Sequence, residues 1–197
     1  FKLPTDVQLS EGLACAFFCA GGFVAGLAVF WELRRRFFPA TPAGTMFLGA
    51  VMLGTGNLCA MMLTRSQFYE VPIAAAYFFS GWSVWALARA LAPGRFRRRW
   101  LLTAGVAFGL AIASRPHFLL AAPLLPLVWL WLARDRARTQ VPRRLGLALA
   151  DAAALLAPVG LTVAGLLVYN QLRFDAPLEF GQKFQLGGSN VGKMTLL

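Results

Sequence analysis

Two ionisable residues, Arg115 and His117, lie inside the otherwise apolar stretch 100–133. An ionisable group among apolar residues is costly, so it is by default a candidate for a functional site. A guanidinium group binds phosphate through paired donors, and Arg115 therefore predicts a phosphate ligand. Two alternatives for Arg115 are an ion pair with Glu70 and a side chain that reaches towards lipid headgroups. For His117, an interfacial imidazole with a structural role is the simpler interpretation.

Further polar residues are expected on the same face of the protein. Glu70 could act as an acid, a base or a cation ligand, or it could be an ordinary loop carboxylate. We expect Tyr69, Glu70, Tyr169 and Asn170 to contact a substrate there. The whole predicted vestibule consists of Arg65, Gln67, Tyr69, Glu70, Arg115, His117, Tyr169, Asn170, Arg173, Asp175, Glu179 and Lys183.

Three features that often mark cofactor sites are interpreted as structural or coincidental. His117 has no second histidine at metal-binding spacing, and Cys15 and Cys19 share a helix face without a histidine or carboxylate beside them. The stretch 187–193 has the spacing of a phosphate loop, but Met194 stands where serine or threonine should hold magnesium. The sequence thus predicts neither a protein metal site nor a nucleotide site.

The amino-acid composition indicates whether the protein lies in water or in a membrane. Of 197 residues, 58% are apolar and 14% charged, whereas soluble domains carry about 25% charged residues. The net charge of +11 comes mostly from arginines in short clusters at 34–36, 95–99 and 134–144, each between apolar runs. This distribution follows the positive-inside rule, so we interpret the charge as membrane topology and not as nucleic-acid binding. The chain is expected to be an integral membrane protein.

Hydropathy predicts an all-α, polytopic transmembrane bundle of about six spans. Residues 100–133 could form one overlong span, but only two short ones leave the basic clusters on one side of the membrane. The bundle would occupy 1–169 and begin outside, and 170–197 would be an outer-face segment. The predicted spans are 9–33, 45–64, 72–92, 100–113, 118–133 and 145–169.

The two short spans form an interrupted hairpin near Ser114 to His117. At 1.5 Å per residue they reach roughly 21 and 24 Å, less than the roughly 30 Å hydrocarbon layer. The turn should therefore lie below the outer surface, where irregular backbone is tolerated only if protein covers it or it lines a cavity. This places Arg115 at the depth where a lipid-linked phosphate would arrive.

Other residues in the spans are given structural roles. Asp151 is expected to pair with Arg144 or to be capped by another helix, with a proton or ion relay as the alternative. Asn57 should make an interhelical hydrogen bond. Two pairs of small residues should allow close helix approach: Gly22 with Gly26, and Gly105 with Gly109.

Three stretches together resemble the bacterial C-type (GT-C) glycosyltransferases, which include protein mannosyltransferases and aminoarabinose transferases of lipid A. They are Phe68-Tyr69-Glu70, Ser114-Arg115-Pro116 and 169–181, which reads YNQLRFDAPLEFG. The resemblance implies an integral membrane enzyme, in the bacterial inner membrane, with its active site facing outward. It would transfer a sugar from a polyprenyl-phosphate donor to an acceptor, with inversion by direct displacement.

The resemblance also implies roles for particular residues. Basic residues hold the leaving phosphate, a role that falls to Arg115, with Arg65, His117 and Arg173 as weaker candidates. The base is an acidic residue of the first outer loop, which we expect upstream of Phe1 in a longer protein, so that neither Asp6 nor Glu11 takes its place. Participation of a divalent cation is left open. The competing interpretations are a transporter or lipid flippase and a noncatalytic assembly subunit.

Overall fold

The computed structural model describes residues 10–57, 59–64, 69–92, 96–138 and 144–180, and every regular element in these ranges is helical. Apolar sequence favours helices in a membrane because a helix satisfies its own backbone hydrogen bonds. In chain order the elements are α1 (Glu11–Phe37), α2 (Ala43–Thr55), α3 (Cys59–Thr64), α4 (Glu70–Leu91), α5 (Arg97–Ser114), a 3₁₀ helix (Pro116–Ala121), α6 (Leu124–Arg138) and α7 (Arg144–Phe174).

Four helical segments of the described ranges are long and apolar enough to cross a membrane. They are Glu11–Phe37, Glu70–Leu91, Pro116–Arg134 and Gly146–Phe174. Helix α2 is apolar but has only 13 residues, and α5 opens with three consecutive arginines. The structure therefore shows an all-helical protein with four such segments, while the count of about six spans stays a prediction.

The predicted interruption after α5 is confirmed. The helix ends at Ser114, Arg115 has extended backbone, and the 3₁₀ helix begins at Pro116. Proline favours this ending because its ring disfavours helical backbone in the preceding residue and suits the first turn of the next helix. The fold thus places Arg115 at the junction of two helical segments.

A second interruption divides the predicted span 45–64, so the expectation of one continuous segment there is corrected. Helix α2 ends at Thr55 and α3 begins at Cys59. The Asn57 Nδ2 atom donates to the Leu53 carbonyl at 2.6 Å, and its Oδ1 atom accepts from the Cys59 amide at 2.9 Å. The asparagine side chain therefore replaces helical hydrogen bonds on both sides of the break.

The larger buried core lies between α4, α5, α6 and α7 and includes Leu101, Phe108, Leu132 and Leu155. Gly105 lets α5 approach α7 closely, since an added Cβ would lie 2.3 Å from the Leu155 carbonyl oxygen. Gly109 would similarly meet the Thr162 hydroxyl at 2.5 Å. The predicted packing role of this glycine pair is confirmed.

A smaller core joins α1, α3 and α4 and contains the buried free thiols of Cys15, Cys19 and Cys59. Nearby, a Cβ on Gly22 would collide with the Tyr77 ring, as expected of a close helix contact. A Cβ on Gly26, in contrast, would have nothing within 4 Å. The predicted packing role is therefore wrong for Gly26, which faces open space.

Candidate functional site

Arg115 links the end of α5 to the start of α4. Its Nη2 atom donates to the Tyr69 main-chain carbonyl at 2.7 Å, across 46 residues of sequence. Its Nε atom is buried and has no hydrogen-bond partner among the described residues. The ion pair with Glu70 considered from the sequence does not form, so the guanidinium group keeps donors for an anion.

Glu70 is the first residue of α4 and is half-buried at the same place. A carboxylate in the first turn of a helix is favoured by the helix dipole. Its Oε2 atom is buried without a hydrogen-bond partner in the part of the chain that the structure describes. A buried carboxylate oxygen of this kind can accept a hydrogen bond from a hydroxyl group or help to bind a cation.

His117 is the second residue of the 3₁₀ helix, and its side chain is exposed. Its ring lies 5.1 Å from the ring of Phe118. No group of three or more histidine, cysteine, aspartate or glutamate side chains within the described ranges could hold a metal ion. The exposed imidazole stands next to Arg115 in sequence and is free to approach a ligand at the same junction.

Three other predicted site residues lie near the end of α7, which continues to Phe174 beyond the expected span. The Arg173 Nη1 atom donates to the Tyr169 hydroxyl at 2.6 Å, and its guanidinium lies over the Tyr169 and Phe174 rings. Asn170 is only 3% exposed and donates to the Pro177 carbonyl at 3.1 Å. This bond gives Asn170 a role in holding the chain reversal that follows α7.

The chain reversal itself uses backbone that an aspartate tolerates better than most residues. Asp175 has a φ of 53°, in the left-handed region. Its amide donates to the Gln171 carbonyl at 3.0 Å, which closes the helix. The Asp-Ala-Pro sequence therefore directs the chain back towards Asn170.

The two groups of site residues occur at the same end of the bundle. Helices α5 and α7 run parallel, and Gly109 packs beside Thr162. Arg115 follows Gly109 by six residues, and Tyr169 follows Thr162 by seven. At 1.5 Å per residue, both therefore lie about 10 Å beyond this contact, in the same direction along the helices. No hydrogen bond or ion pair between the two groups is found among the residues described. Arg65 and Lys183 lie outside the described residues, as does the stretch 187–193.

The opposite end holds an ionic cluster that sequence reasoning missed. Glu32 is 3% exposed, and its Oε1 atom accepts from Arg35 at 2.9 Å and from Arg36 at 2.9 and 2.5 Å. Arg89 of α4 lies 3.5 Å from its Oε2 atom. The spacing of glutamate to arginine, three and four residues along one helix, was the available signal. The contribution of Arg89 depends on how α1 packs against α4.

Asp151, the predicted deep carboxylate, lies at this opposite end. It is 1% exposed, and its Oδ1 atom lies 3.7 Å from the Nε atom of Arg98 on α5. The expected partner, Arg144, has a side chain outside the described part of the structure. The described pairing joins two helices and agrees with the expected alternative of a partner on another helix, while the pairing with Arg144 stays a prediction.

Comparison with known proteins adds no assignment, since no protein-family model, curated protein or solved structure matches the chain. The functional conclusion must therefore be drawn from the motifs and from the geometry at the Tyr69, Glu70 and Arg115 junction. That junction combines a guanidinium whose Nε atom has no partner among the described residues with the half-buried carboxylate of Glu70, the residue that follows Tyr69.

Proposed function

We propose that this chain is the membrane part of a glycosyltransferase that moves a sugar from a polyprenyl-phosphate donor to an acceptor on the outer face. The single observation that carries the proposal is the setting of Arg115. Its guanidinium is positioned by the carbonyl of Tyr69, the residue that precedes Glu70, and keeps a buried Nε donor without a partner in the described ranges. The reason for proposing glycosyl transfer in particular is the resemblance of the three sequence stretches to C-type glycosyltransferases.

In the proposed reaction an acceptor hydroxyl oxygen attacks the anomeric carbon. The bond between that carbon and the donor phosphate oxygen breaks, and its electron pair leaves with the phosphate. Arg115 stabilises this negative charge, which grows towards the transition state and so is bound more strongly there. The hydroxyl proton passes to a carboxylate base, which we do not assign to a described residue. Direct displacement inverts the anomeric centre.

The proposed topology has about six spans in a bacterial inner membrane, with Arg115 near the outer face. This topology is supported by the arginines of α1, α4 and α5, which lie at one end of the bundle. Arg36 donates to the Ala88 carbonyl at 2.6 Å, and the Arg89 guanidinium lies over the Trp100 ring, so the ends of α1 and α4 and the start of α5 meet. The positive-inside rule would place that end in the cytoplasm.

A transporter is the second candidate, and a specific observation favours it. Transporters often bind their substrates where transmembrane helices are interrupted. The interruption around Asn57 joins the one at Arg115 as a second break in the helical segments. In this alternative Asp151 would take part in an ion relay, and no bond in the cargo would break.

Binding of the donor lipid tests the proposal. Native mass spectrometry of the full-length protein would measure retention of polyprenyl phosphate in an excess of phosphatidylglycerol, for wild type, Arg115→Gln and Arg99→Gln. We expect Arg115→Gln to lower retention at least about tenfold, because a charge-assisted hydrogen bond is lost. Arg99→Gln is the matched control, since its guanidinium lies over the Phe96 ring at the opposite end.

Two further results separate the candidates. Hydrolysis or transfer of the sugar from a polyprenyl-phosphate sugar, absent in Arg115→Gln, supports the glycosyltransferase. Equal retention of polyprenyl phosphate by all three proteins contradicts the assigned role of Arg115. Uptake of a solute into vesicles that requires Asp151, with no sugar released, would favour the transporter.

A further inference from the structure

Helix α1 lies between α2 and α4 and leaves an open groove on each of its sides. It contacts α2 through the Phe30 ring, which occupies the space beside Gly49, and α4 through Ala25, which lies against Gly81. One groove, here called the glycine groove, is lined by Gly22, Gly26, Gly49, Met52 and Gly81. The second, called the arginine groove, is lined by Val24, Ala28, Trp31, Met46, Trp85 and Arg89.

The two grooves differ in chemistry although both are formed by the same three helices. Gly26 and Ala28 are two residues apart, about 200° around α1, so they face opposite sides. The glycine groove measures about 560 Å³ and has no charged residue in its lining. The arginine groove measures about 580 Å³ and runs from aliphatic side chains to Glu32 and Arg89. Only the second groove has a charged end.

That charged end carries more positive than negative charge. Arg35 lies one helical turn after Trp31 on the same face of α1, and the Arg34 guanidinium lies over the Trp31 ring at 5.3 Å. Arg89 belongs to the lining of the groove, and Arg34 and Arg35 follow the lining residue Trp31 by three and four positions, next to its charged end. Among the described residues, the carboxylate at this end is that of Glu32. It accepts two hydrogen bonds from Arg36 and one from Arg35.

Two of these arginines have N–H groups that no described residue accepts. The Arg34 Nε and Arg89 Nε atoms are buried and have no hydrogen-bond partner among the described residues. The Arg34 Nη2 atom makes only a long bond, 3.4 Å, to the Thr41 carbonyl. An anion at the end of the groove would therefore meet positive charge that Glu32 compensates only in part.

We propose that the arginine groove binds an acidic phospholipid, with one acyl chain against Val24, Ala28 and Met46 and the phosphate among Arg34, Arg35 and Arg89. Trp31 and Trp85 suit the boundary between chain and headgroup, where tryptophan is enriched in membrane proteins. Basic pockets between helices bind acidic headgroups in the same way. This lipid site is at the opposite end of the bundle from Arg115 and does not depend on the proposed enzymatic function.

A competition between two lipids tests the proposal. The full-length protein in neutral detergent receives equal amounts of phosphatidylglycerol and phosphatidylcholine with identical acyl chains, and native mass spectrometry measures the retained ratio. We expect wild type to retain phosphatidylglycerol several-fold in excess. Arg35→Gln should lower that ratio about fivefold, as expected for one charge near a lipid phosphate. Arg35 suits the test because its side chain is 55% exposed, so the variant should fold.

Matched variants distinguish a groove from general electrostatic attraction. Ala28→Phe fills the arginine groove and should abolish the preference, whereas Gly26→Phe fills the glycine groove and should retain it. Arg99→Gln removes an exposed charge at the same end on α5, a helix that contributes no residue to this groove, and should leave the ratio unchanged. Equal retention of the two lipids by wild type, or equal losses in Arg35→Gln and Arg99→Gln, would overturn the proposal.

Discussion

The guanidinium of Arg115 donates to the main-chain carbonyl of Tyr69, at 2.7 Å. This contact joins the residue that follows α5 to the residue that precedes α4. Because the acceptor is a backbone atom, the position of the arginine depends on the course of the chain and not on the side chain of Tyr69. The adjacent Glu70 then lies at the same junction, with a buried oxygen that accepts no hydrogen bond from a described residue.

Replacing Arg115 should affect folding less than ligand binding. Arg115→Gln removes one hydrogen bond at a half-buried position, and we expect the free energy of unfolding to fall by about 1 kcal/mol. Arg115→Lys keeps the charge and should recover part of any phosphate binding but not bidentate recognition. Unfolding by denaturant in mild detergent measures the first effect. A loss of several kcal/mol would instead indicate that Arg115 is chiefly a structural residue.

The position of Arg115 could be predicted from sequence because its neighbours determine it locally. Proline at 116 disfavours helical backbone at 115, and the arginine interrupts a long apolar run. The break at Asn57 could not be predicted in this way, since a single asparagine within an apolar run is also compatible with a continuous helix. Its two hydrogen bonds, to Leu53 and Cys59, became evident only from the structure.

Close packing of α5 on α7 should be intolerant of even one methyl group. Gly105→Ala would place a Cβ 2.3 Å from the Leu155 carbonyl oxygen, so the helices must separate. We expect a loss of about 1–3 kcal/mol in the free energy of unfolding. Gly165→Ala on α7 is the matched control, because its Cβ would have nothing within 4 Å and alanine favours helix. Equal stability of the two variants would contradict this packing.

The ionic cluster around Glu32 should be essential for docking α1 against α4. Glu32→Ala removes the buried carboxylate and leaves Arg36 and Arg89, whose side chains are 22% and 35% exposed, without it, so we expect a loss of about 1–2 kcal/mol. Glu11→Ala, at the exposed start of the same helix, should change stability little. Thermal unfolding of both variants in one detergent gives the comparison. A similar small effect of both substitutions would show that the cluster contributes little.

Only part of the Glu32 cluster could be predicted from the sequence. Its local part, with Arg35 and Arg36, follows from helical spacing and was available from the sequence. Its tertiary part needs the contact of α1 with α4, which brings Arg89 close. Asp151 gives the same lesson, since the sequence left open a partner within its own helix or on another one, and only the packing of α5 beside α7 identifies Arg98.

The pairing of Asp151 with Arg98 is testable because the two residues differ greatly in exposure. The Asp151 side chain is 1% exposed and that of Arg98 is 54% exposed. Arg98→Gln should therefore destabilise the protein at least as much as Asp151→Asn, since it leaves the buried carboxylate without this partner, whereas in Asp151→Asn the remaining arginine is half-exposed and stays hydrated. In a double-mutant cycle we expect a coupling energy of about 1 kcal/mol.

The control is a second double-mutant cycle, in which the neighbouring exposed Arg99 is substituted and Arg98 is left in place. Arg99→Gln, whose guanidinium contacts the Phe96 ring, should show no coupling to Asp151→Asn. Unfolding free energies of the single and double variants, all measured in one detergent, provide every value required. Coupling of equal size with Arg98 and Arg99 would mean that Asp151 responds to the total positive charge at this end of the bundle. Coupling to Arg98 alone would establish a specific pair that joins α5 to α7.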